Sequence, residues 1–411
     1  MNLYLFNDDD TAAVYGIGTY LKELTNALKE TDINVHIVHL RSDKRKFEII
    51  KINQVENWYI PEVRYNNRSI GNVQEKEDYF RNVVFLLKLN IKDIKDLIFH
   101  FNYNHCQILV KELKEAFICK TVSTIHFLNW QLLLHSNLNS LYTLKKKSKK
   151  QRNFHEQNVF FTYEYENLLF KEVDRLIVLS ENTQHILETE YQLDSSKISV
   201  VYNGLNNINQ MDINVNEMLR KKWFISREEF VILFVGRLTS VKGLIFLIKA
   251  FRELLAVLPN CHLIIAGNGD FDTHLNEAKD ICTKITFTGL LEKKKIYELY
   301  QIADIGVMPS FHEQCSYVAI EMMMHSVPII GSTSTGLKEM IVDGETGLHI
   351  PVIEYDNKVE IDSSLLSEKM LHLLQNPEEL KRMGINSRQL YTKKYSLSVF
   401  RKNMLNFYHS K

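Results

Sequence analysis

The sequence predicts an α/β protein of two doubly wound domains, on three observations. Its 411 residues exceed one ordinary domain and suit two of about 200. Short continuous apolar runs alternate with amphipathic stretches almost from end to end, the pattern of parallel strands covered on both faces by helices. The alternation halts once, at the polar segment NGLNNINQMDINVN (203–216), and then restarts, so that segment reads as a linker. The expected division is a first domain over 1–203, a second over 204–390, and a terminal helix over 391–411 that packs back toward the first.

In order along the chain, NLYLF (2–6) opens the first domain as a strand. GIGTYLKELTNALKE follows, with Ile17, Leu21, Leu24 and Leu28 at helical spacing on one face. Further strands are expected at NVHIVHL (34–40), DLIFHF (96–101), CKTVSTIH (119–126) and RLIVLS (175–180), with helices between most of them. The irregular stretch 41–78 holds FEIIKIN and NWYIPEV as candidate extra strands. In the second domain FVILFVGRL, CHLIIAGNG, TKITFTG, DIGVMPS, VPIIGS and GLHIP read as strands, and 361–411 as helical with basic ends. Ligands of open α/β sheets bind beyond the carboxyl ends of the strands. Two such domains facing each other would make a cleft there.

Composition excludes several classes. The formal net charge is zero, so no global field draws the chain to nucleic acid or membranes, and no basic-aromatic nucleic-acid module occurs. The cysteines, Cys106, Cys119, Cys261, Cys282 and Cys315, form no C-x-x-C pair and fit free thiols in a reducing cytosol. MNLYLFNDDD lacks signal-peptide character, and no apolar run approaches the roughly 18 residues of a membrane span. A cytoplasmic location is expected. The run Lys145–Lys150, followed by Arg152, reads first as a solvated loop. Its alternative is a docking patch for an anionic partner or peripheral contact with a lipid surface, because it follows the apolar FLNWQLLLHSNLNSLYTL. His36 and His39 form H-x-x-H, but in a strand they point to opposite faces and do not converge on a metal.

Three stretches carry candidate chemistry. FVGRLTSVKG (234–243) puts Arg237 and Lys242 between a strand end and a helix, where amides and cations hold anions. VYGIGTY (14–20) offers Gly16 and Gly18 for close backbone approach to a ligand, with a ligand-free tight turn as the alternative. It is not a dinucleotide fingerprint, since Leu21 takes the third glycine position. FHEQCSYVAIEMMMH (311–325) places Glu313 in a loop and Glu321 two turns along the following helix. The amides near Tyr317 and Val318 would form that helix's positive end. The alternative readings are a favourable charge near the helix start for Glu313 and a solvated helix face for Glu321.

Together, VVYNGLN, VGRLTSVKG, AGNGD, FTGLL, HEQCSYVAIEMM and PIIGSTSTGLKEMIVDGETGLHI resemble the ordered motif set of the family-4 retaining glycosyltransferases of GT-B fold. The resemblance is dense over about 198–351 and sparser in the first domain, where YGIGTYLKEL and TIHFLNW correspond. It implies two Rossmann-like domains across a cleft and a retaining, metal-independent hexosyltransferase. The sugar would move from a nucleoside-diphosphate sugar to an acceptor hydroxyl of a saccharide, lipid-linked or peptide molecule. By the resemblance, Arg237 and Lys242 neutralise the donor diphosphate, Glu313 contacts the transferred sugar and Glu321 binds the ribose hydroxyls. The backbone of Phe287, Thr288, Gly289 and Leu290 holds the base, while Gly267, Ser316, Tyr317 and Val318 line the donor. Gly16 and Gly18 approach the diphosphate, and His126 lies near the sugar and acceptor.

No cofactor or metal is implied, although Asp8 and Asp10 in NDDD make a literal D-x-D. They read instead as a polar loop at the cleft rim. Phe127 follows His126 where many relatives carry aspartate, and Ser316 stands where glycine is usual. The FNDDDTAAVYGIG opening is also more acidic than the ordinary loop. The rival readings are a glycoside hydrolase using Glu313 and Glu321 and a non-catalytic nucleotide-sugar-binding protein.

Overall fold

The computed structural model of the chain describes residues 1–8, 16–63, 73–207 and 215–410. Asp10 and half of the expected linker, residues 208–214, lie outside the described residues. The chain divides into two compact units. The first comprises Met1–Asn129, Asn153–Tyr202 and Phe400–Lys411, the second Trp130–Arg152 and Asn203–Val399.

The first unit is built on strands β1 (Asn2–Asp8), β2 (Asn34–Ser42), β3 (Glu48–Ile52), β4 (Val55–Pro61), β5 (Leu97–Phe101), β6 (Cys119–Ile125), β7 (Arg175–Val178) and β8 (Ile198–Val200). They form one sheet in the order β3-β4-β2-β1-β5-β6-β7-β8. All neighbours are parallel except β3 and β4, an antiparallel hairpin made from FEIIKIN and NWYIPEV. β1 and β5 are buried almost throughout because helices cover both faces, whereas β3, at the edge, is largely exposed. The helix Gly16–Leu28 buries Ile17, Leu21, Leu24 and Leu28, the face its spacing predicts. His36 bonds Glu56 and stacks on Tyr4, while His39 bonds Asn57 and stacks on Tyr59, so the two rings have separate partners.

From Phe400 onward the helix Leu397–His409 belongs to this unit. Arg175 lies 3.9 Å over the Phe407 ring and donates to the Phe407 carbonyl at 2.7 Å. A buried polar chain links the same helix to the sheet. The Tyr408 hydroxyl is 2.6 Å from His100 Nδ1, His100 Nε2 is 2.7 Å from Thr124 Oγ1, and Tyr20 reaches that hydroxyl at 3.1 Å.

The second unit carries β9 (Phe230–Val235), β10 (Cys261–Ala266), β11 (Ile285–Gly289), β12 (Ile305–Met308), β13 (Ile329–Ser332) and β14 (Gly347–Ile350), all parallel, in the order β11-β10-β9-β12-β13-β14. Its core packs β9 and β10 against the helices Leu244–Val257 and Ser363–Gln375 through residues such as Leu247, Phe251, Leu366 and Leu373. A two-stranded hairpin, β15 (Val352–Glu354) with β16 (Val359–Ile361), was not expected. Strands of three residues are too short to show a period.

Residues 130–152 join this unit: Asn137 donates to the Tyr355 carbonyl at 2.6 Å and Ser140 to the Asp356 carbonyl at 2.9 Å. Lys145 and Lys146 end the helix Leu138–Lys146, and Lys149 and Lys150 occupy the short turn after it. The five cysteines are free thiols. No helix among the described residues is long and apolar enough to cross a membrane.

Tyr408→Phe removes the hydroxyl on His100 Nδ1 and leaves a fully buried nitrogen without its partner. The expected loss is about 1–3 kcal/mol of unfolding free energy, read from urea melts of the variant and the parent chain.

Candidate active site

The site residues of the second unit gather at the carboxyl ends of β9, β10, β11 and β12, and two glycines let the backbone close there. After β10, Gly267 has φ +155°, and a Cβ on it would sit 1.7 Å from the Gly236 carbonyl oxygen. Gly243 has φ +65°, and a Cβ there would sit 2.0 Å from the Pro309 carbonyl oxygen. No side chain fits at either place, so the loops after β9, β10 and β12 pack backbone to backbone. Arg237 follows β9 at the surface. Lys242 lies in a single 3-10 turn, Ser240–Lys242, that Gly243 ends before the helix Leu244–Val257 begins.

That turn places the Lys242 ammonium on Glu313 Oε1, with both side chains largely buried. Ser310 Oγ donates to the same oxygen at 3.2 Å. The Glu313 backbone is tied as well. Its N–H donates to Thr335 Oγ1 at 2.9 Å and its carbonyl accepts from the Gly336 N–H at 2.8 Å. Glu313 is therefore neither a free loop carboxylate nor a helix-end charge, but one half of a held ion pair.

Ser316 caps the helix Tyr317–Met324, its hydroxyl accepting from the Ala319 N–H at 3.5 Å. A hydroxyl in place of the usual glycine thus satisfies one end amide. Tyr317 and Val318 form the first turn, as the sequence predicts. Glu321 is the fifth helical residue, about one turn in and not two, because the helix starts only after the Ser316 cap. It is 2 % exposed, which overturns the solvated-face reading. Lys293 holds its Oε1, and the Tyr300 hydroxyl donates to Oε2 at 3.0 Å. Burial, then the Glu321 charge, holds the Tyr300 hydroxyl protonated, well above the usual phenol range. Phe287, Thr288 and Gly289 end β11, the Gly289 carbonyl accepts from the Gly267 N–H at 3.0 Å, and Leu290 beyond it is exposed.

Sequence reasoning missed Lys293 and His312. Lys293 sits in the basic triplet KKK, which reads as surface charge until its helix, Lys293–Ile302, turns it onto Glu321. His312 precedes Glu313. It is buried, with Nδ1 3.1 Å from Ser136 Oγ and Nε2 without a hydrogen-bond partner among the described residues. Burial, and then the Lys242 ammonium, pushes this imidazole down to about 3.

In the first unit Gly16 and Gly18 are not in a loop: both lie in the first turn of the helix Gly16–Leu28. A Cβ on Gly16 would meet nothing within 4 Å. His126 is partly buried, 3.2 Å from Asn102 Oδ1 and edge-on to Tyr20 with ring centroids 4.7 Å apart. Burial pushes it down to about 3, so it is a neutral hydrogen-bonding group at ordinary pH. Three residues on, Asn129 donates to Glu166 Oε1 through its N–H at 2.8 Å and its amide at 2.7 Å. Asn104 and Tyr191 also donate to that carboxyl. Burial raises Glu166 to about 7 against the pull of these donors. Asp8 ends β1 with Arg41 Nε on its Oδ1 at 2.8 Å. No group of three or more His, Cys, Asp or Glu residues that could hold a metal occurs among the described residues.

Known proteins match both units. Residues 14–207 match the family described as Glycosyltransferase Family 4, and residues 215–390 the one described as Glycosyl transferases group 1. The chain belongs to the family-4-like, group 1 glycosyltransferases of GT-B fold. An uncharacterized glycosyltransferase of Methanocaldococcus jannaschii is 32% identical over 186 residues, 43% of this chain and 46% of that one. The chain thus spans about half the length of the curated relatives it matches. Among solved structures, sucrose-phosphate synthase from Thermosynechococcus elongatus superposes with a TM-score of 0.75 at 19% identity, covering 99% of this chain and 98% of that one. Anabaena HepE in complex with UDP-glucose superposes at 0.73 and 13% identity, covering 99% of both chains. At these identities the structural likeness speaks for the fold.

The buried imidazoles make stability acid-sensitive. His100, His126 and His312 all stand at about 3 in the fold, against an ordinary 6.5. Their contribution is complete above pH 6.5 and is lost as pH falls toward 3, each at about 1.4 kcal/mol per pH unit. Glu166, raised to about 7, acts in the opposite sense between pH 7 and 4.5 and offsets one of the three. Urea unfolding from pH 7 to pH 5 should show a net loss of stability, and a rise would contradict the burial of these rings.

Proposed function

We propose that the protein transfers a sugar from a nucleoside-diphosphate sugar to an acceptor hydroxyl with retention of anomeric configuration and without a metal. The observation that carries the reading is the held pair of Lys242 and Glu313, one short loop from a second carboxylate, Glu321, buried in the next helix. Two carboxylates alone would also suit a glycoside hydrolase. Here each has a lysine on it, and Arg237 and a capped helix start lie in the same unit. That set suits a diphosphate flanked by two hydroxyl-bearing sugars better than a bare glycosidic bond.

When the donor binds, the Lys242 ammonium exchanges the Glu313 carboxylate for phosphate oxygens, and Glu313 becomes an acceptor for hydroxyls of the transferred sugar. Glu321 likewise turns from Lys293 to the ribose. Charge builds on the diphosphate as the glycosidic bond breaks, and Arg237, Lys242 and the amides at Tyr317 and Val318 stabilise it. With two cations and a helix end on that charge, a divalent ion would be redundant. The neutral His126 suits hydrogen bonding to sugar or acceptor rather than proton donation. The binding of UDP-glucose by HepE supports a nucleotide-sugar donor here. The acceptor is a saccharide, a lipid-linked molecule or a peptide.

A thermal-shift panel of nucleoside diphosphates and their sugars, followed by mass analysis of products against acceptor pools, tests this reading. Sugar release from a simple glycoside without nucleotide would favour the hydrolase instead. Arg237→Ala and Lys242→Ala should each lower turnover about 100-fold or more, a far larger effect than on the melting temperature, where Lys242→Ala leaves the Glu313 carboxylate without its lysine. In titrations with nucleoside diphosphate, Glu321→Ala should weaken binding. Glu313→Ala should spare it and impair transfer, and equal losses would refute the division of roles. Transfer should survive excess EDTA; activity abolished by EDTA and restored by Mn²⁺ would sink metal independence.

A further inference from the structure

The loops carrying Lys242 and Glu313 are both held by one turn of the segment Trp130–Arg152. His135 and Ser136 have left-handed backbone, φ 49° and 60°, a conformation uncommon for non-glycine residues. The Ser136 N–H closes the turn on the Gln131 carbonyl at 2.7 Å, and the Asn137 N–H on the Leu134 carbonyl at 3.0 Å. His135 Nε2 lies 3.1 Å from Ser240 Oγ, two residues before Lys242. Its ring meets Phe311 edge-on, with centroids 5.6 Å apart. Ser136 Oγ lies 3.1 Å from Nδ1 of His312, the residue before Glu313. Asn137, next in line, accepts the Ser140 N–H as the cap of the helix Leu138–Lys146.

We propose that His135 and Ser136 are positioning residues for transfer, setting the register between the Lys242 loop and the Glu313 loop. Neither touches the substrate in this role. The turn holds the two loops so that the ammonium can move onto the diphosphate while Glu313 remains aligned with the sugar. Backbone strain is retained because the hydrogen bonds need these two side chains at those two places. The inference rests on the nucleotide-sugar reading above.

Glycine separates the side chain from the strain, since it adopts left-handed backbone freely. The wild-type chain is first shown to bind and turn over one of UDP-glucose, GDP-mannose or ADP-glucose, with release of nucleoside diphosphate as the readout. Failure there sinks the transferase reading, and this role with it, before any variant is made. In Ser136→Gly and His135→Gly the melting temperature should equal or exceed wild type. Turnover should fall about tenfold or more while affinity for the free nucleoside diphosphate changes by less than about twofold. Ser136→Asn, which tolerates left-handed backbone and keeps a side-chain donor, should recover part of the turnover. Full turnover in both glycine variants would overturn the proposal. So would parallel loss of turnover and melting temperature, which would mark the turn as packing alone.

Discussion

Two carboxylates, the buried Glu321 and the largely shielded Glu313, lie within one short stretch of the second unit, and each must be compensated where it lies. A carboxylate withdrawn from water without a partner would take up a proton or drive the loop open. Lys242 and Lys293 supply the compensation, reinforced by Ser310 and Tyr300. Ion pairs of this kind contribute little net stability, because desolvation offsets the attraction. Their value is that both carboxylates are held in place by named partners before any ligand arrives, so little reorganisation remains for the reaction.

Orientation depends on backbone packing of the loops. Gly267 and Gly243 allow carbonyls of neighbouring loops to approach where any Cβ would collide. Thr335, at φ +36°, grips the Glu313 backbone through its hydroxyl. Together with His135 and Ser136, it makes three left-handed non-glycine residues bonded to the loops that carry the lysine and its acid. Left-handed residues also occur away from the site, Glu30, Asn53 and Phe224 among them, so what distinguishes these three is the loops they bond and not the backbone conformation itself.

The first unit answers burial differently, by neutrality. His100 and His126 stay unprotonated, and burial raises the Glu166 carboxyl to about 7. Four donations, two from Asn129 and one each from Asn104 and Tyr191, tie this carboxyl to the loop beyond His126. The same buried polar logic ties the terminal helix to the sheet through Tyr408, His100 and Thr124.

Most of the fold was legible because continuous apolar runs and amphipathic stretches follow from local burial. β1, β2, β5, β6 and β7, the six strands of the second sheet and the helix start near Tyr317 all came from local pattern. Arg237, Lys242, Glu313 and Glu321 were legible as a motif. What the sequence could not determine was who meets whom. Glu321 reads as a helix-face acid until Lys293, 28 positions away, reaches it. The segment 130–152 carries no local mark of belonging to the second unit, yet its hydrogen bonds to Ser240, His312 and Tyr355 span 105 to 218 positions. Such contacts have no period and no spacing rule. They exist only once the sheet has brought loop ends together, and so tertiary structure alone decided that His135 and Ser136 stand against the loops of Lys242 and Glu313.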